Sequence, residues 1–307
     1  MGVEGAKPLG LALPGSSAGD WFTLLNPRVL TLVVFTGAIG LIIAPEHVNP
    51  FLALTAILCI TVAAGAAGAI NMWYDRDIDA IMRRTASRPI PAGRISPEGG
   101  LAFGVVLAIL SVLVMLIATN WVAALVLAIS IAFYVFIYTM WLKRLTPQNI
   151  VIGGAAGAFP PVIGWAAATG NITLLPVLLF AIIFFWTPPH FWALSLYASG
   201  DYERAGVPML PVVKGARHTR VCIMVYTLLL LPVTLAPYVL GLAGPFYGAC
   251  ALVLGGMFIY YSWKVLNDRQ DERGVSLNQD KPAKAAFRYS ILYLFILFGA
   301  CAVDRLI

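Results

Sequence analysis

Residues 51–79 read FLALTAILCITVAAGAAGAINMWYDRDID. The first twenty of these residues carry no charge, and a helix of about 20 apolar residues is long enough to cross the hydrocarbon of a bilayer. The run then passes directly into four charged residues. The stretch therefore predicts a membrane-spanning helix that ends in a polar segment at the membrane surface.

Similar apolar runs recur along the whole chain. Hydrophobic residues make up 60% of its 307 residues and charged residues only 11%, whereas about 25% is usual in a soluble domain. Lipid offers the backbone no hydrogen-bond partners, so these runs are expected to be helices. Nine stretches qualify as spans: 28–44, 51–70, 101–118, 121–140, 149–168, 174–196, 219–240, 245–263 and 286–303. The sequence predicts an all-α integral membrane protein with about nine transmembrane helices, in which a flexible cytoplasmic tail (1–20) precedes a single membrane-embedded domain (21–307).

Charge placement predicts the orientation of this bundle. With nine spans, 19 of the 20 basic residues lie on one side and only Arg305 lies opposite, so the positive-inside rule places the charged loops in the cytoplasm. Twelve of the 14 acidic residues lie on the same side, although the rule does not require it. The net charge of +6 follows from this asymmetry, and no nucleic-acid partner is expected. A multi-pass transporter is the alternative from another class, but transporters usually bury ionisable residues near mid-membrane.

The polar segment after the second span suggests a metal site. If the helix continues, Asn71, Asp75 and Asp79 stand at i, i+4 and i+8 and line one face. Two carboxylates so placed repel each other, and a divalent cation between them relieves the repulsion. Carboxylate and amide oxygens suit Mg²⁺, which also bridges to substrate phosphates. Asp77 is two residues off this face and is expected to point toward Arg76 or solvent.

Basic residues close to these carboxylates suggest an oxyanion ligand. Arginines bind phosphate oxygens through a planar fork of donors, so a diphosphate fits metal-binding carboxylates followed by basic side chains. The alternative is a solvated loop that only obeys the positive-inside rule. The predicted diphosphate-binding residues are Arg83, Arg84, Arg88, Lys143 and Arg144.

A second polar loop follows the sixth span, from His190 to Lys214. Its order of acid, arginine, two prolines and a basic residue repeats that of the first loop, four spans away. The weak repeat predicts one site between the two halves, as membrane folds often arrange. Asp201 is the predicted catalytic residue of this loop, and either it or Glu203 is the predicted further metal ligand.

Several strings of sequence resemble a known family. The pattern Asn-x-x-x-Asp-x-x-x-Asp at 71–79, followed by Arg88-Pro89, resembles the first signature of the UbiA-type membrane prenyltransferases. Longer and more specific strings are similar to the protoheme IX farnesyltransferases within that superfamily. These strings are YTMWLKRLT at 138–146, NIVIGGAAGAFPP at 149–161, HFWAL at 190–194 and DYERAGVPMLP at 201–211.

The resemblance implies a fold and a reaction. It implies nine helices around a central cavity, Mg²⁺, farnesyl diphosphate as donor and the vinyl group of haem B as acceptor, with haem O and diphosphate as products. The implied location is the bacterial inner membrane, and the implied downstream partner is a haem A synthase or a terminal oxidase assembly factor. Wider relatives often carry two acids four apart in the second motif, but Ala205 stands where the second would fall. The alternative acceptor is an aromatic quinone precursor.

The resemblance also directs attention to histidines near the charged face. His190 follows Pro188-Pro189, which are expected to kink the sixth span, and it could ligate haem iron or hydrogen-bond to a neighbouring helix. Arg217 and His218 are further haem-binding candidates, for a propionate. Aromatic residues could line a prenyl channel, or could instead face lipid or pack: Phe133, Phe136, Trp141, Phe159 and Trp165.

Overall fold

The computed structural model describes residues 16–46, 48–272 and 274–307. Within these residues the regular structure is helical, and one isolated bridge joins Gln270 to Ser276. The helices are, in order, α1 (Ala18–Leu24), α2 (Pro27–Ile42), α3 (Pro50–Tyr74), α4 (Arg76–Ile81), α5 (Pro97–Ala118), α6 (Trp121–Ala132), a π-helical segment (Phe133–Leu142), α7 (Asn149–Ala158), α8 (Pro160–Thr169), α9 (Leu174–Tyr197), α10 (Ser199–Arg204), α11 (Leu210–Val213), α12 (Ala216–Val239), α13 (Pro245–Leu266) and α14 (Lys281–Leu306).

The apolar helices confirm an all-α membrane protein. Eight helical segments among the described residues are long and apolar enough to cross a membrane, and a shorter apolar helix, Leu30–Ile42, precedes them. The predicted count of about nine therefore holds, with the first helix short. Large apolar side chains on α5, such as Ile109 and Ile117, are exposed, as expected where a helix faces lipid.

Local sequence explains where the spans begin. Pro50 and Pro97 occupy first helical turns, where a missing N–H costs nothing because that donor has no partner in a helix. The residues before them cap the same turns. Asn49 Oδ1 accepts a hydrogen bond from the backbone N–H of Phe51 (2.8 Å), and Ser96 Oγ accepts one from that of Gly99 (3.1 Å).

Small residues let the helices approach closely. The α2–α8 contact depends on two glycines, because a Cβ on Gly40 would lie 2.1 Å from the carbonyl oxygen of Pro161 and one on Gly164 would lie 2.0 Å from that of Gly37. Such backbone contact is a common means of helix association in lipid. Elsewhere α3 packs on α5, and α12 packs on both α9 and α13.

The charged loops meet at one end of the bundle, which we call the polar end. It comprises the loops around 75–96, 143–148, 198–215 and 267–280. Side chains join these loops directly: Arg144 pairs with Asp77, and Arg84 donates to Tyr202. The first and second polar loops therefore lie together, as the repeat in the sequence suggested.

Helix α9 contains Pro188 and Pro189 and stays helical on both sides of them, so the prolines do not end the span. Of the predicted tail, residues 1–15 lie outside the described residues, and the chain forms α1 from Ala18 onward with Ser17 as its cap. Ser17 Oγ accepts from the Asp20 N–H (3.3 Å), while the Asp20 carboxylate accepts from the Ser17 N–H (3.0 Å).

Candidate active site

The first motif places three polar side chains in the protein interior. Helix α3 ends at Tyr74, yet the i to i−4 hydrogen bonding continues, from Asp75 N–H to the Asn71 carbonyl (2.9 Å) and from Asp79 N–H to the Asp75 carbonyl (2.8 Å). The three side chains therefore keep one face, and all are buried: Asn71 is 7% exposed, Asp75 0% and Asp79 2%. Asn71 Nδ2 donates to Asp75 Oδ2 (2.7 Å).

Each buried carboxylate has a cationic partner from another part of the chain. Lys143 forms an ion pair with Asp75, and Arg88 Nη1 lies 2.6 Å from Asp79 Oδ2. Arg144 Nη2 lies 3.3 Å from the other oxygen of Asp75. Buried charges need such partners, because an uncompensated one is very unfavourable. Three cations thus border two buried carboxylates, although Arg144 also pairs with the exposed Asp77. Cations already gathered at one point can also bind a polyanionic ligand.

Asp77 lies outside this buried set. Its side chain is 61% exposed, and both oxygens accept from Arg144, at 2.7 and 2.8 Å. Its partner is therefore Arg144 rather than Arg76 or solvent as expected, because Arg76 donates to the carbonyl of Trp73. The hydrogen bonds from Arg144 lower the pKa of Asp77, and they raise the pKa of Arg144 in turn.

The π-helical segment positions the basic pair Lys143 and Arg144. Its last hydrogen bond runs from Lys143 N–H to the carbonyl of Tyr138 (2.9 Å), five residues back, and π-turns are frequent at functional sites. Thr139 within it accepts from Asn71 Nδ2 (3.1 Å). The turn that follows is held by Asn149, whose Nδ2 donates to the carbonyls of Thr146 (2.7 Å) and Lys143 (3.4 Å).

The N-terminal helix braces the loop that carries the arginines. Arg94 Nε donates to Asp20 Oδ1 on α1 (2.6 Å), and its Nη2 donates to the carbonyl of Ser87 (2.9 Å), next to Arg88. Hydrogen bonds from Ser17 and Arg94 lower the pKa of Asp20 to about 2. Arg83 is exposed and forms no ion pair among the described residues, so it is not part of the buried cluster.

The second loop contributes through a tyrosine. Arg84 Nη2 donates to the hydroxyl of Tyr202 (3.3 Å), which ties the first loop to α10. Asp201 pairs with Arg204 in the same helix, while Glu203 is exposed. Among the described residues no three acidic, histidine or cysteine side chains converge on one point. The structure therefore does not bring Asp201 to the first-motif carboxylates as a further metal ligand.

Comparison with known sequences decides the family. Residues 33–301 match the UbiA prenyltransferase family. The chain belongs to this family. It is 72% identical over 296 residues to the protoheme IX farnesyltransferase of Acidiphilium cryptum, covering 96% of this chain and 93% of that protein. It is 65% identical over 301 residues to the protoheme IX farnesyltransferase of Granulibacter bethesdensis, covering 98% and 95% of the two chains.

Solved structures show the UbiA fold. A digeranylgeranylglyceryl phosphate synthase superimposes with a TM-score of 0.76 at 19% identity, covering 94% of this chain and 98% of that one. A UbiA homologue from Archaeoglobus fulgidus bound to GPP and Mg²⁺ superimposes with a TM-score of 0.65 at 16% identity, covering 92% and 99%. The chain is thus a membrane prenyltransferase, which confirms the predicted enzyme class and excludes the transporter.

His190 of this UbiA protein lies in an aromatic slot beside the second loop. Its ring stacks between Trp186 (4.2 Å between centroids) and Phe287 (4.6 Å), and Nδ1 is 2.6 Å from Ser290 Oγ. The Ser290 hydroxyl also lies 2.7 Å from the carbonyl of Phe287. When it donates its proton to that carbonyl, His190 Nδ1 is the donor to Ser290 Oγ. Nε2 is then a bare lone pair, and no described residue donates to it.

The other predicted haem contacts lie elsewhere. Arg217 and His218 are exposed in the first turn of α12. Arg217 lines an acidic cleft of about 390 Å³ with Asp268 and Glu272, and His218 Nε2 lies 3.4 Å from Cys222 Sγ. The structure therefore does not join them to the His190 slot.

Aromatic side chains form a continuous series through the bundle. Phe133 packs on Phe159, which packs on Phe180, and Phe180 on Phe184, with centroids 5.2–6.3 Å apart. Two other predicted channel residues do not belong to it, because Phe136 is 59% exposed and Trp141 57%. Trp165 is buried in the core formed by α2, α9, α13 and α14.

Sequence reasoning missed several residues of this site. Tyr202 carried no signal, because a tyrosine in a loop is common. Lys284 at the start of α14 was counted only toward the charge asymmetry, yet its Nζ lies 5.6 Å from the centre of the Tyr197 ring. Phe287 and Ser290 sit in an ordinary apolar span, so only their packing against His190 shows their place.

Proposed function

We propose that this UbiA enzyme transfers the farnesyl group of farnesyl diphosphate to the vinyl group of haem B, giving haem O and diphosphate. The observation that carries the proposal is the buried Asp75–Asp79 pair with its cationic partners Arg88 and Lys143, in a chain whose aromatic slot holds His190. The names of the relatives at 72% and 65% identity support the choice of haem B over a quinone precursor.

The donor residues fit Mg²⁺ held jointly with a diphosphate. Asn71, Asp75 and Asp79 offer hard oxygen ligands on one face, and Mg²⁺ usually takes one or two carboxylates and completes its shell with water and phosphate oxygens. The two carboxylates Asp75 and Asp79 match this usual number of protein ligands. The homologue from Archaeoglobus fulgidus was solved with GPP and Mg²⁺. When bound, the metal supplies Lewis-acid stabilisation of the leaving diphosphate.

The protein's own cations act on the same leaving group. As the bond between the farnesyl C1 and the diphosphate oxygen breaks, negative charge grows on that oxygen. Arg88, Lys143 and Arg144 are held by the carboxylates and by the turn at Asn149, so they need little rearrangement to stabilise it. Preorganised charges of this kind often supply the largest catalytic effect.

The apolar interior directs the allylic cation to the acceptor. The vinyl carbon of haem B attacks the farnesyl C1, and water captures the resulting cation next to the porphyrin ring, releasing one proton and leaving a hydroxyethylfarnesyl group. Early access of water would give farnesol instead. The aromatic series from Phe133 to Phe184 is positioned to wall the farnesyl chain and exclude water.

The acceptor is placed by His190 in this proposal. The bare Nε2 is the nitrogen through which a histidine ligates haem iron, while a hydrogen bond at the other nitrogen fixes its tautomer. Ser290 provides that hydrogen bond. The exposed loops at the polar end then lie on the cytoplasmic side of the bacterial inner membrane, in accordance with the basic residues they carry.

Purified protein in lipid nanodiscs provides the test. Supplied with farnesyl diphosphate, haem B and Mg²⁺, it should form a product with the mass of haem O, and the product should disappear in EDTA. If the protein farnesylated a hydroxybenzoate and not haem B, the acceptor would be a quinone precursor and the proposal would be wrong. Failure to modify either acceptor, with farnesyl diphosphate still bound, would contradict both.

A further inference from the structure

Three cations at the polar end lack an acidic partner. Lys284 and Arg288 occupy the first two turns of α14, and Arg84 follows the first motif. Among the described residues none of the three forms an ion pair, whereas Arg88, Lys143 and Arg204 each do. Lys284 Nζ donates to the carbonyl of Gln279 (2.8 Å), and the nearby Asp280, one turn earlier, pairs with Arg220 (3.7 Å) rather than with Lys284. Their charge is therefore available to an external anion.

These cations border the slot that contains His190. Lys284 Nζ lies over the Tyr197 ring, at 5.6 Å, and the Tyr197 ring meets Phe287 edge-on at 6.2 Å. Arg288 lies one turn after Lys284 on α14 and directly after Phe287, and Arg84 donates to the hydroxyl of Tyr202 (3.3 Å). Phe287 in turn stacks on His190. Charge thus lies at the outer edge of the slot and aromatic surface lies further in.

We propose that Lys284 and Arg288, together with Arg84, form a carboxylate-binding rim that holds the acceptor by its acid groups. The inference rests on the proposed function, because haem B carries two propionates on one edge of an otherwise apolar ring. His190 and Tyr197 are seven residues apart on α9, which is about 10 Å along a helix. This is the scale of a porphyrin centre and its propionate arm, so iron near His190 leaves the propionates near the rim.

The donor diphosphate has a separate set of charges. Arg88, Lys143 and Arg144 pair with the first-motif carboxylates. Lys284 and Arg288 come from a different helix, α14, where Lys284 lies over the Tyr197 ring and Arg288 follows one turn later. Arginine and lysine bind carboxylates by charge-assisted hydrogen bonds. The rim therefore selects an acceptor that has free acid groups, and it fixes which edge of the ring faces the loops.

The test removes the two rim charges of α14 and varies the acceptor. Lys284→Gln/Arg288→Gln is compared with Lys264→Gln/Arg269→Gln, which removes two charges from the same end of the bundle away from the slot. Both are assayed with haem B and with its dimethyl ester, whose propionates are blocked. We expect the rim variant to raise the KM for haem B by about tenfold or more, with the KM for farnesyl diphosphate within about twofold. The ester should be a poor acceptor for the wild type and no worse for the rim variant.

Other results would overturn the rim. If the rim variant lost the same affinity for haem B as for the ester, Lys284 and Arg288 would not bind carboxylates. If only the KM for farnesyl diphosphate rose, these two residues would belong to the donor site. The charge-retaining Lys284→Arg/Arg288→Lys should keep most of the affinity, and if it fails as the glutamine variant does, a packing role replaces the rim. Should the wild type not convert haem B, the proposed function fails, and Soret titration of haem B against the ester still decides the rim.

Discussion

The two polar loops of this UbiA protein are built in opposite ways. In the first, buried carboxylates pair with cations from distant parts of the chain, as when Asp75 pairs with Lys143. In the second, Asp201 pairs with Arg204 one turn away, and both side chains are partly exposed. A buried long-range pair fixes several elements relative to one another, whereas a local surface pair contributes little to stability. Buried ion pairs therefore fix the first loop, whereas buried apolar residues such as Val207 and Met209 fix the second, which keeps its ion pair near the surface.

The largest effect is expected from the buried carboxylates. Asp75→Asn and Asp79→Asn should each lower kcat by at least about 100-fold, because each removes a proposed metal ligand and the partner of a cation proposed to stabilise the leaving group. Steady-state rates with saturating farnesyl diphosphate would measure this. Asp77→Asn is the matched control, since Asp77 is exposed and outside the buried face. Equal losses in all three variants would remove the distinction between buried and exposed carboxylates.

Lys143 should have the next largest effect. Lys143→Met should lower kcat by about 100-fold. It should also lower the melting temperature, because the buried Asp75 would keep only the longer contact to Arg144 as an ion pair, beside its hydrogen bond from Asn71. Lys143→Arg, which keeps the charge, should recover part of the lost kcat and part of the lost melting temperature. A fully active and fully stable Lys143→Met would mean that the ion pair is incidental.

His190→Ala should weaken binding of the acceptor without changing binding of the donor. If Nε2 ligates iron, the variant should bind haem B about tenfold or more weakly and shift its Soret band, while farnesyl diphosphate binds normally. Ser290→Ala, which removes the hydrogen bond at Nδ1, should cause a smaller change in the same direction. An unshifted spectrum with normal haem affinity and a lower melting temperature would instead assign His190 to packing between Trp186 and Phe287.

The second loop should show a smaller effect on donor use. Asp201→Ala frees Arg204 and disturbs α10, whose Tyr202 ties the second loop to the first loop, and the first loop carries the donor-binding residues of the proposal. We expect a KM for farnesyl diphosphate raised by several-fold to about tenfold, with Glu203→Ala near wild type because Glu203 is exposed. Unchanged kinetics in Asp201→Ala would place the second loop outside the donor site.

The smallest effect is expected for the pH dependence of the Asp77–Arg144 pair. The pKa of Asp77 is lowered in the folded state, so the pair stabilises the fold above the usual pKa of 3.8 and loses that effect as the pH falls through the lowered folded value. Since the pair is largely exposed, about 0.2–1 kcal/mol is expected. Wild type and Asp77→Asn should therefore differ slightly in melting temperature at pH 6 and converge in strong acid. If the difference in melting temperature between the two proteins increased as the pH fell, the pair would not stabilise the fold in the way proposed.

The fold was predictable because apolar length determines a membrane helix. Runs such as 51–70 contain enough hydrophobic residues to specify a span without tertiary information, and the family comparison confirms the enzyme class. The π-helical segment was not predictable, since Phe133–Leu142 has the composition of any span. Its wider turn shows in hydrogen bonds that reach five residues back, such as the one from Lys143 N–H to the Tyr138 carbonyl.

The site was predictable where spacing alone brings residues together. Asn71, Asp75 and Asp79 share a face because of helical periodicity, and they do so in the structure. Pairs such as Arg84 with Tyr202 join residues 118 positions apart, and no local pattern encodes them. The role proposed for Lys284 was not predictable either. The positive-inside rule accounts for every basic residue on the cytoplasmic side and therefore gives none of them a specific role.

Calorimetric titration of the wild type with farnesyl diphosphate, in Mg²⁺ and in EDTA, tests the central claim most directly. The claim is that Asp75 and Asp79 form a site completed jointly by the metal and the diphosphate, with Arg88 and Lys143 as its charged walls. We predict one donor per chain in Mg²⁺, at least about tenfold weaker binding in EDTA, and loss of that metal dependence in Asp75→Asn but not in Asp77→Asn. Equal affinity in Mg²⁺ and EDTA, or metal dependence unchanged in Asp75→Asn, would contradict the account.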